Sequence, residues 1–187
     1  MLQDLSIKQK LYAGFGAIVT ILLILLVLAY NNFSKVSEAT RLDRHTLEVL
    51  LETDQIGANV LDIQNQVRGF LLTGDERFLT PEVDEEALVH KNVNHAISLT
   101  ADNPAQQERI RKVDAVINSW FQNVIRPLID KRRALGQASG ATEQAARSPE
   151  LITGFTTVAE LRKMLAEIAA EENRLLAQRS AEAADLQ

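Results

Sequence analysis

The sequence predicts an all-α protein in which an N-terminal transmembrane helix continues into an up-down-up-down four-helix bundle. Residues 11–30 contain no charged side chain. As a helix with a rise of about 1.5 Å per residue, they reach across the roughly 30 Å hydrocarbon core of a bilayer. Beyond them, apolar residues recur at spacings of three and four, and strand-type alternation is nearly absent. The chain has only eight glycines and four prolines among 187 residues, and they fall where helices should start or stop.

The charge-free run is predicted to be an uncleaved membrane anchor rather than a signal peptide. It is longer than the apolar region of a signal peptide, and it ends at Tyr30 without a small-residue cleavage pattern. Lys8 and Lys10 precede it, which favours a cytoplasmic N-terminus. We therefore expect residues 1–10 to be a cytoplasmic leader, residues 11–30 to cross the inner membrane once, and residues 31–187 to form a periplasmic or extracellular helical bundle.

The composition excludes several functional classes. The whole chain has 20 basic and 25 acidic side chains. An acidic segment without a basic stripe argues against nucleic acid as a partner. No cysteine is present, which excludes disulfide and thiolate chemistry. The lipid bilayer is the partner that the composition predicts most directly.

The first outer helix is predicted to continue from the membrane span to Thr73. Its core-facing seam is predicted at positions 47, 51, 54, 58, 61, 65, 68 and 72, a heptad pattern with three polar members. Of these, Asp54 is expected to set the packing register. Gly74 can supply the left-handed residue that ends the helix, and Asp75 can cap the next helical segment.

The remaining helices are predicted from their start and stop signals. The second begins at Thr80–Pro81 and runs to about Thr100, and the acidic residues between Asp75 and Glu86 suit a solvated helix start. The third has Asn103 as its cap and Pro104 as its first residue. Its apolar face is predicted to comprise Ile110, Val113, Ile117, Trp120, Val124 and Leu128.

Later in the third helix, Pro127 is expected to produce a kink. Residues 136–142 are predicted to be the least ordered stretch. The last helix is predicted to begin at Ser148–Pro149, with an interruption at Gly154. Its core-facing residues are predicted to be Val158, Leu161, Leu165, Ile168, Glu172 and Leu175.

One string of residues resembles a known family. Val67–Leu79 reads VRGFLLTGDERFL and Glu171–Arg179 reads EENRLLAQR. Together they resemble the third type of CHASE domain, over roughly residues 35–186. These domains are helical extracellular sensory modules of histidine kinases, chemotaxis transducers and nucleotide cyclases in bacteria. The opening Leu5–Gly16 also resembles the entry of a transducer or kinase into its first membrane span.

The resemblance implies a membrane-anchored sensor module of a bacterial receptor, closest to a chemotaxis transducer. A shift of the first helix against the last would relay the state of a small-molecule or periplasmic protein ligand, and a homodimer is expected. The resemblance implies no catalysis and no cofactor. The sensor region of a kinase or cyclase and a purely structural tethered bundle stay open as alternatives. Receptors of this kind have a second span and an output domain after the Arg179 region, so the chain is expected to be a fragment.

Antiparallel hairpins that turn near Gly74 and Asp102 place Arg68 level with Val124, and Trp120 level with Gln64. The sequence therefore predicts a site for a carboxylate or an amphipathic organic ligand in the distal part of the bundle. Its predicted residues are Arg68, Asn65, Trp120 and Asn123.

The alternative is that Arg68 is bound by an acid such as Asp84 or Glu85, with Trp120 an ordinary core residue. The three histidines, at positions 45, 90 and 95, lack the spacing of a metal site, and no metal is predicted. No nucleophile elbow, phosphate loop or paired catalytic carboxylates occur, so no catalytic residue is predicted.

Overall fold

The computed structural model describes residues 7–79 and 84–184, and its regular structure there is entirely helical. The α-helices are α1 (Ile7–Thr73), α2 (Glu85–Leu99), α3 (Pro104–Trp120), α4 (Arg126–Leu135), α5 (Ala141–Ala146) and α6 (Pro149–Ala184). A 3₁₀ turn (Glu76–Leu79) follows α1, and a π-turn (Phe121–Ile125) joins α3 to α4. The all-α class and the N-terminal apolar helix are confirmed.

The chain divides into two units, residues 45–178 and residues 1–44 with 179–187. In the second of these units, Gly14–Asn31 is long and apolar enough to cross a membrane, and none of it is buried. This segment coincides closely with the charge-free run of residues 11–30. We call Gly14–Asn31 the candidate span.

The predicted end of α1 and the predicted start of α3 are both observed. Gly74 has a φ of +70°, and its N–H donates to the Phe70 carbonyl at 2.7 Å. The side chain of Asn103 accepts from the Gln106 N–H at 3.1 Å, directly before Pro104. Asp84 caps α2 in the same way. The predicted start at Thr80–Pro81 lies outside the described residues.

The core of residues 45–178 is a single apolar cluster to which the described α-helices and the π-turn contribute. The predicted face of α3 is buried from Ile110 onward, and the predicted face of α6 is buried from Val158 to Glu172. Within that core, Glu172 accepts a hydrogen bond from Gln106 Nε2 at 2.8 Å. The same amide also donates to the Ile168 carbonyl at 3.2 Å, so α3 and α6 are joined by a buried polar contact.

The predicted seam of α1 is wrong. Leu47, Leu51 and Leu72 are 57–59% exposed, as exposed as the leucines of the candidate span. The apolar side chains that α1 buries between residues 49 and 67 are instead Val49, Ile56, Val60, Ile63 and Val67, which we call the inner stripe. Positions 47, 51, 54, 58, 61, 65, 68 and 72 are all exposed, and we call them the outer stripe. Both stripes have heptad spacing, and packing against the other helices selects the β-branched one.

Three further expectations about α3 to α6 need correction or refinement. Residues 141–146, adjoining and overlapping the stretch predicted to be least ordered, form the short helix α5. Gly154 does not interrupt α6, which is continuous from Pro149 to Ala184. Ahead of Pro127, the helix widens into the π-turn, where the Arg126 N–H donates to the Phe121 carbonyl. Proline lacks an N–H donor, and helices commonly adapt to such a break with a wider turn.

A buried arginine holds the turn after α1. Arg132 is only 3% exposed, and its Nε donates to the Leu71 carbonyl at 3.0 Å. Its Nη1 also donates to the carbonyl of Gly136, just beyond α4. The last carbonyls of a helix have no partner within the helix, so one guanidinium stabilises two helix ends. A Cβ at Gly74 would lie 2.5 Å from Arg132 Nη2, so a larger residue there requires this guanidinium to move.

Candidate functional site

An apolar groove opens between α1, α6 and the segment formed by the end of α3, the π-turn and the start of α4. Its volume is about 200 Å³. We call it the Trp120 groove. It is lined by Gln64, Val67, Arg68, Leu71, Trp120, Val124, Ile125, Leu128, Leu151, Gly154 and Phe155.

Gly154 brings α6 close to one wall of this groove. A Cβ at this position would lie 2.9 Å from Val124 Cγ1 and 3.7 Å from Trp120 Nε1. The first distance is shorter than side chains tolerate, so a larger residue requires α6 or Val124 to move. The glycine therefore serves the close approach of two helices.

The π-turn shapes the opposite wall. It lies between Trp120 on one side and Leu128 on the other, and it carries Val124 and Ile125. An α-helix with one wider turn changes the direction of every side chain beyond that turn. π-turns are frequent at functional sites for this reason.

Trp120 is buried, and its indole N–H lacks a hydrogen-bond acceptor among the described residues. Its side chain is 2% exposed and lies 5.4 Å from the Phe121 ring, measured between ring centroids. The indole Nε1 has no hydrogen-bond partner in the described part of the chain. Buried indole N–H groups usually have a partner, because an unpaired donor away from water is destabilising.

Arg68 lines the same groove and is exposed. Within residues 7–79 and 84–184 it makes no ion pair. Asp84 accepts from the Ala87 N–H as the cap of α2, and Glu85 makes no ion pair within the described residues. The structure thus places Arg68 and Trp120 at one groove, and neither of the acids named as alternative partners pairs with Arg68 there.

The other two predicted site residues lie elsewhere. Asn65 is exposed on the outer stripe and does not line the groove. Asn123 is exposed in the π-turn, where its Nδ2 donates to Ser119 Oγ at 3.0 Å. Val124 and Gln64, which the hairpin register places level with Arg68 and Trp120, do line the groove.

Several residues of the groove were not predicted as part of a site. Gly154, Leu151 and Phe155 come from α6 and approach Arg68 only in three dimensions. The sequence did carry two indirect signals, a glycine inside an apolar helical pattern and Pro127 near Trp120. A glycine in such a position often marks a close approach of backbones.

Each histidine lies beside one carboxylate of another element. His95 Nδ1 lies 2.9 Å from Glu52, His90 Nδ1 lies 3.5 Å from Asp114, and His45 Nε2 lies 3.9 Å from Asp102. The side chains of these pairs are partly exposed to solvent. No cluster of three potential metal ligands occurs among the described residues.

Several carboxylates on the surface are paired with arginines. Arg77 donates to Asp75 and lowers the pKa of that carboxyl to about 2. Arg133 likewise lowers the pKa of Glu76, and Arg174 lowers that of Glu171.

The comparisons with known proteins identify a family. The family model described as the CHASE3 domain matches residues 39–182. The search of curated proteins and the search of solved structures each gave no match.

Proposed function

This chain belongs to the CHASE3 domain family, and on that premise we propose that it is the extracytoplasmic sensor of a chemotaxis transducer-like receptor. CHASE3 domains are sensory modules of signal-transduction receptors rather than catalytic domains. The observation that carries the proposal is the family match over residues 39–182 in a chain that also has a candidate span at Gly14–Asn31. The sensor region of a histidine kinase or cyclase is the second candidate, because Leu5–Gly16 resembles the entry of kinases, as well as of transducers, into their first membrane span.

The proposed orientation places the leader in the cytoplasm and residues 31–187 outside the inner membrane. It is supported by Lys8 and Lys10 ahead of the span, since basic residues are retained on the cytoplasmic side. A reporter that is active only in the periplasm, fused after Gln187, is expected to be active in cells. The matched control is a reporter that is active only in the cytoplasm, fused at the same residue.

Activity of the cytoplasmic reporter alone would refute the orientation and with it an extracytoplasmic sensor. Replacing both Lys8 and Lys10 with glutamate gives a further check. If the positive charges set the orientation, this variant is expected to lower periplasmic reporter activity.

The proposed relay is a displacement of α1 against α6. These helices are in close contact, because a Cβ at Gly57 of α1 would lie 3.6 Å from Leu165 Cδ1 of α6. Helix α1 also contains the candidate span. A ligand or protein partner that binds two α1–α6 packings with unequal affinity shifts their populations, which is the thermodynamic requirement for a signal.

We also propose that two copies associate through residues 47–61 of the outer stripe of α1, the part that lies away from Arg68. Its apolar members there are Leu47, Leu51, Ala58 and Leu61, and this part of the stripe is exposed throughout. A heptad stripe without a partner among the described residues matches the seam of a two-helix coiled coil. Two chains anchored in one membrane are held parallel, which is the arrangement such a seam requires.

A non-sensing structural bundle is the remaining alternative. In such a protein, a buried indole N–H has no reason to be left without an acceptor. Among the described residues, Trp120 Nε1 lacks one. This observation supports a sensor over a structural tether.

A further inference from the structure

The Trp120 groove has room for one ring. An apolar cavity of about 150 Å³ holds benzene, so a volume of about 200 Å³ accommodates a ring with one or two small substituents. Its walls are almost wholly hydrocarbon, with Val67, Leu71, Val124 and Leu128 among the lining residues. Such walls favour an apolar body and disfavour sugars and polyamines.

Besides Gln64, two polar side chains line this groove. The first is the indole Nε1 of Trp120, a buried donor without a partner in the described residues. It lies beside the surface of α6 at Gly154, which also lines the groove. The second is the guanidinium of Arg68, which presents a planar set of donors suited to a carboxylate.

We propose that the Trp120 groove binds a hydroxy-substituted, single-ring aromatic monocarboxylate. This inference rests on the proposed sensor function and names the ligand class of its site. The ring occupies the apolar groove, the carboxylate accepts from Arg68, and the ring hydroxyl oxygen accepts from Trp120 Nε1. Binding thereby gives the orphan indole donor an acceptor and the unpaired arginine an anion.

The charge of the groove selects for a single carboxylate. Arg68 is the one charged side chain among the lining residues, and no acid lies among them. A second carboxylate on the ligand is therefore placed against hydrocarbon, where an unpaired charge is strongly disfavoured. A neutral ring alcohol fits the walls and loses the charge-assisted contact.

The test uses the full chain in non-aromatic detergent micelles. Trp120 is the only tryptophan, so the intrinsic indole fluorescence reports on the groove directly. The probes are 4-hydroxybenzoate, benzoate without the ring hydroxyl, 4-hydroxybenzyl alcohol without the carboxylate, and hexanoate without the ring. We expect a saturable fluorescence change that is tightest for 4-hydroxybenzoate, with calorimetry of the same titration giving a matching Kd.

Two arginine variants separate the contact from general electrostatics. Arg68→Ala is expected to weaken 4-hydroxybenzoate about tenfold or more, as for loss of a charged hydrogen bond, and to leave 4-hydroxybenzyl alcohol unchanged. The matched control is Arg162→Ala, an exposed arginine of α6 that does not line the groove. It is expected to leave the binding of all four probes unchanged.

Four results would overturn the assignment. The first is no saturable fluorescence response to 4-hydroxybenzoate, and the second is equal affinity of Arg68→Ala and the unaltered protein for 4-hydroxybenzoate. The third is equal affinity of the unaltered protein for benzoate and 4-hydroxybenzoate, and the fourth is a higher affinity for hexanoate than for 4-hydroxybenzoate. If every probe fails while the periplasmic reporter is active, the ligand class is wrong and the sensor function stands. If the reporter is active only in the cytoplasm, the proposed function itself fails, whatever the probes show.

Discussion

Alanine substitutions in the inner and outer stripes of α1 are expected to differ in their effect on the free energy of unfolding. Ile56 of the inner stripe is 2% exposed, whereas Leu51 of the outer stripe is 57% exposed. Ile56→Ala removes three buried carbons at about 0.8 kcal/mol each and leaves a cavity, so we expect a loss of about 3 kcal/mol. Leu51→Ala removes carbons that already contact solvent within one chain, so we expect a change within about 0.5 kcal/mol.

The assay follows the fluorescence of Trp120 during thermal unfolding of the full chain in detergent. This buried indole reports the melting of the core and is independent of the candidate span, whose helicity can persist in detergent. At a concentration where both variants are monomeric, Ile56→Ala is expected to lower Tm by about 6–12 °C, from roughly 2–4 °C per kcal/mol for a chain of this size. Leu51→Ala is expected to melt within about 2 °C of the unaltered protein.

The reversed order would refute the assignment of the inner stripe. A large loss for Leu51→Ala with a small one for Ile56→Ala places the leucines in the core, as the sequence alone predicted. Val60→Ala provides an independent check, because Val60 is as buried as Ile56 and lies one turn further along α1. It is expected to destabilise the protein in the same direction.

The chain has no cysteine, so a single introduced thiol reports on association without background. Leu51→Cys is expected to form a disulfide-linked dimer in membranes on mild oxidation. The control Gln55→Cys, which is exposed but lies off the outer stripe, is expected to form little of this dimer. Equal yields of disulfide-linked dimer from the two variants would contradict pairing through this stripe. In acid, Lys131 and the Ser148 hydroxyl hold the pKa of Glu150 at about 2, below its usual 4.5. Since the pKa is lowered in the folded state, this contribution to stability is present above pH 4.5 and is lost as the pH falls towards 2. Glu150→Gln should therefore reduce the fall of Tm over that pH range, and an unchanged dependence of Tm on pH would contradict the contact.

Much of the fold could be predicted because its boundaries depend on local chemistry. Gly74 and Asn103 determine helix ends through backbone conformation and capping, which act within a few residues and are visible in the sequence. The face of α1 could not be predicted in the same way. The helix carries two heptad stripes, and only the packing of the other helices decides between them.

Part of the candidate site could also be predicted from the sequence. Hairpin register brought Arg68 level with Val124 and Trp120 level with Gln64, and these four residues line one groove. Asn65 was included because the outer stripe was predicted to be the core-facing seam of α1. The structure leaves this stripe, and Asn65 with it, exposed. The α6 residues were missed because Gly154 was interpreted as an interruption of the last helix, whereas a glycine in an apolar helical pattern can also mark a close approach of two helices.

The string Val67–Leu79, which resembles the family, spans the end of α1 and the turn after it. In the string Val67–Leu79, Gly69 lies under the ring of Phe78, where any Cβ would overlap that ring. Gly74 adopts the left-handed conformation against Arg132, which caps α1. These residues specify how the first helix ends.

The groove draws on different parts of the chain. Trp120 and Gly154 lie outside the string Val67–Leu79, and so do most of the apolar residues of the wall. Only Val67, Arg68 and Leu71 belong to both, because α1 supplies the turn and one side of the groove. Under the proposed ligand assignment, a change at Trp120 or Gly154 is therefore expected to alter which ligand fits the groove without disturbing the turn formed by the string Val67–Leu79.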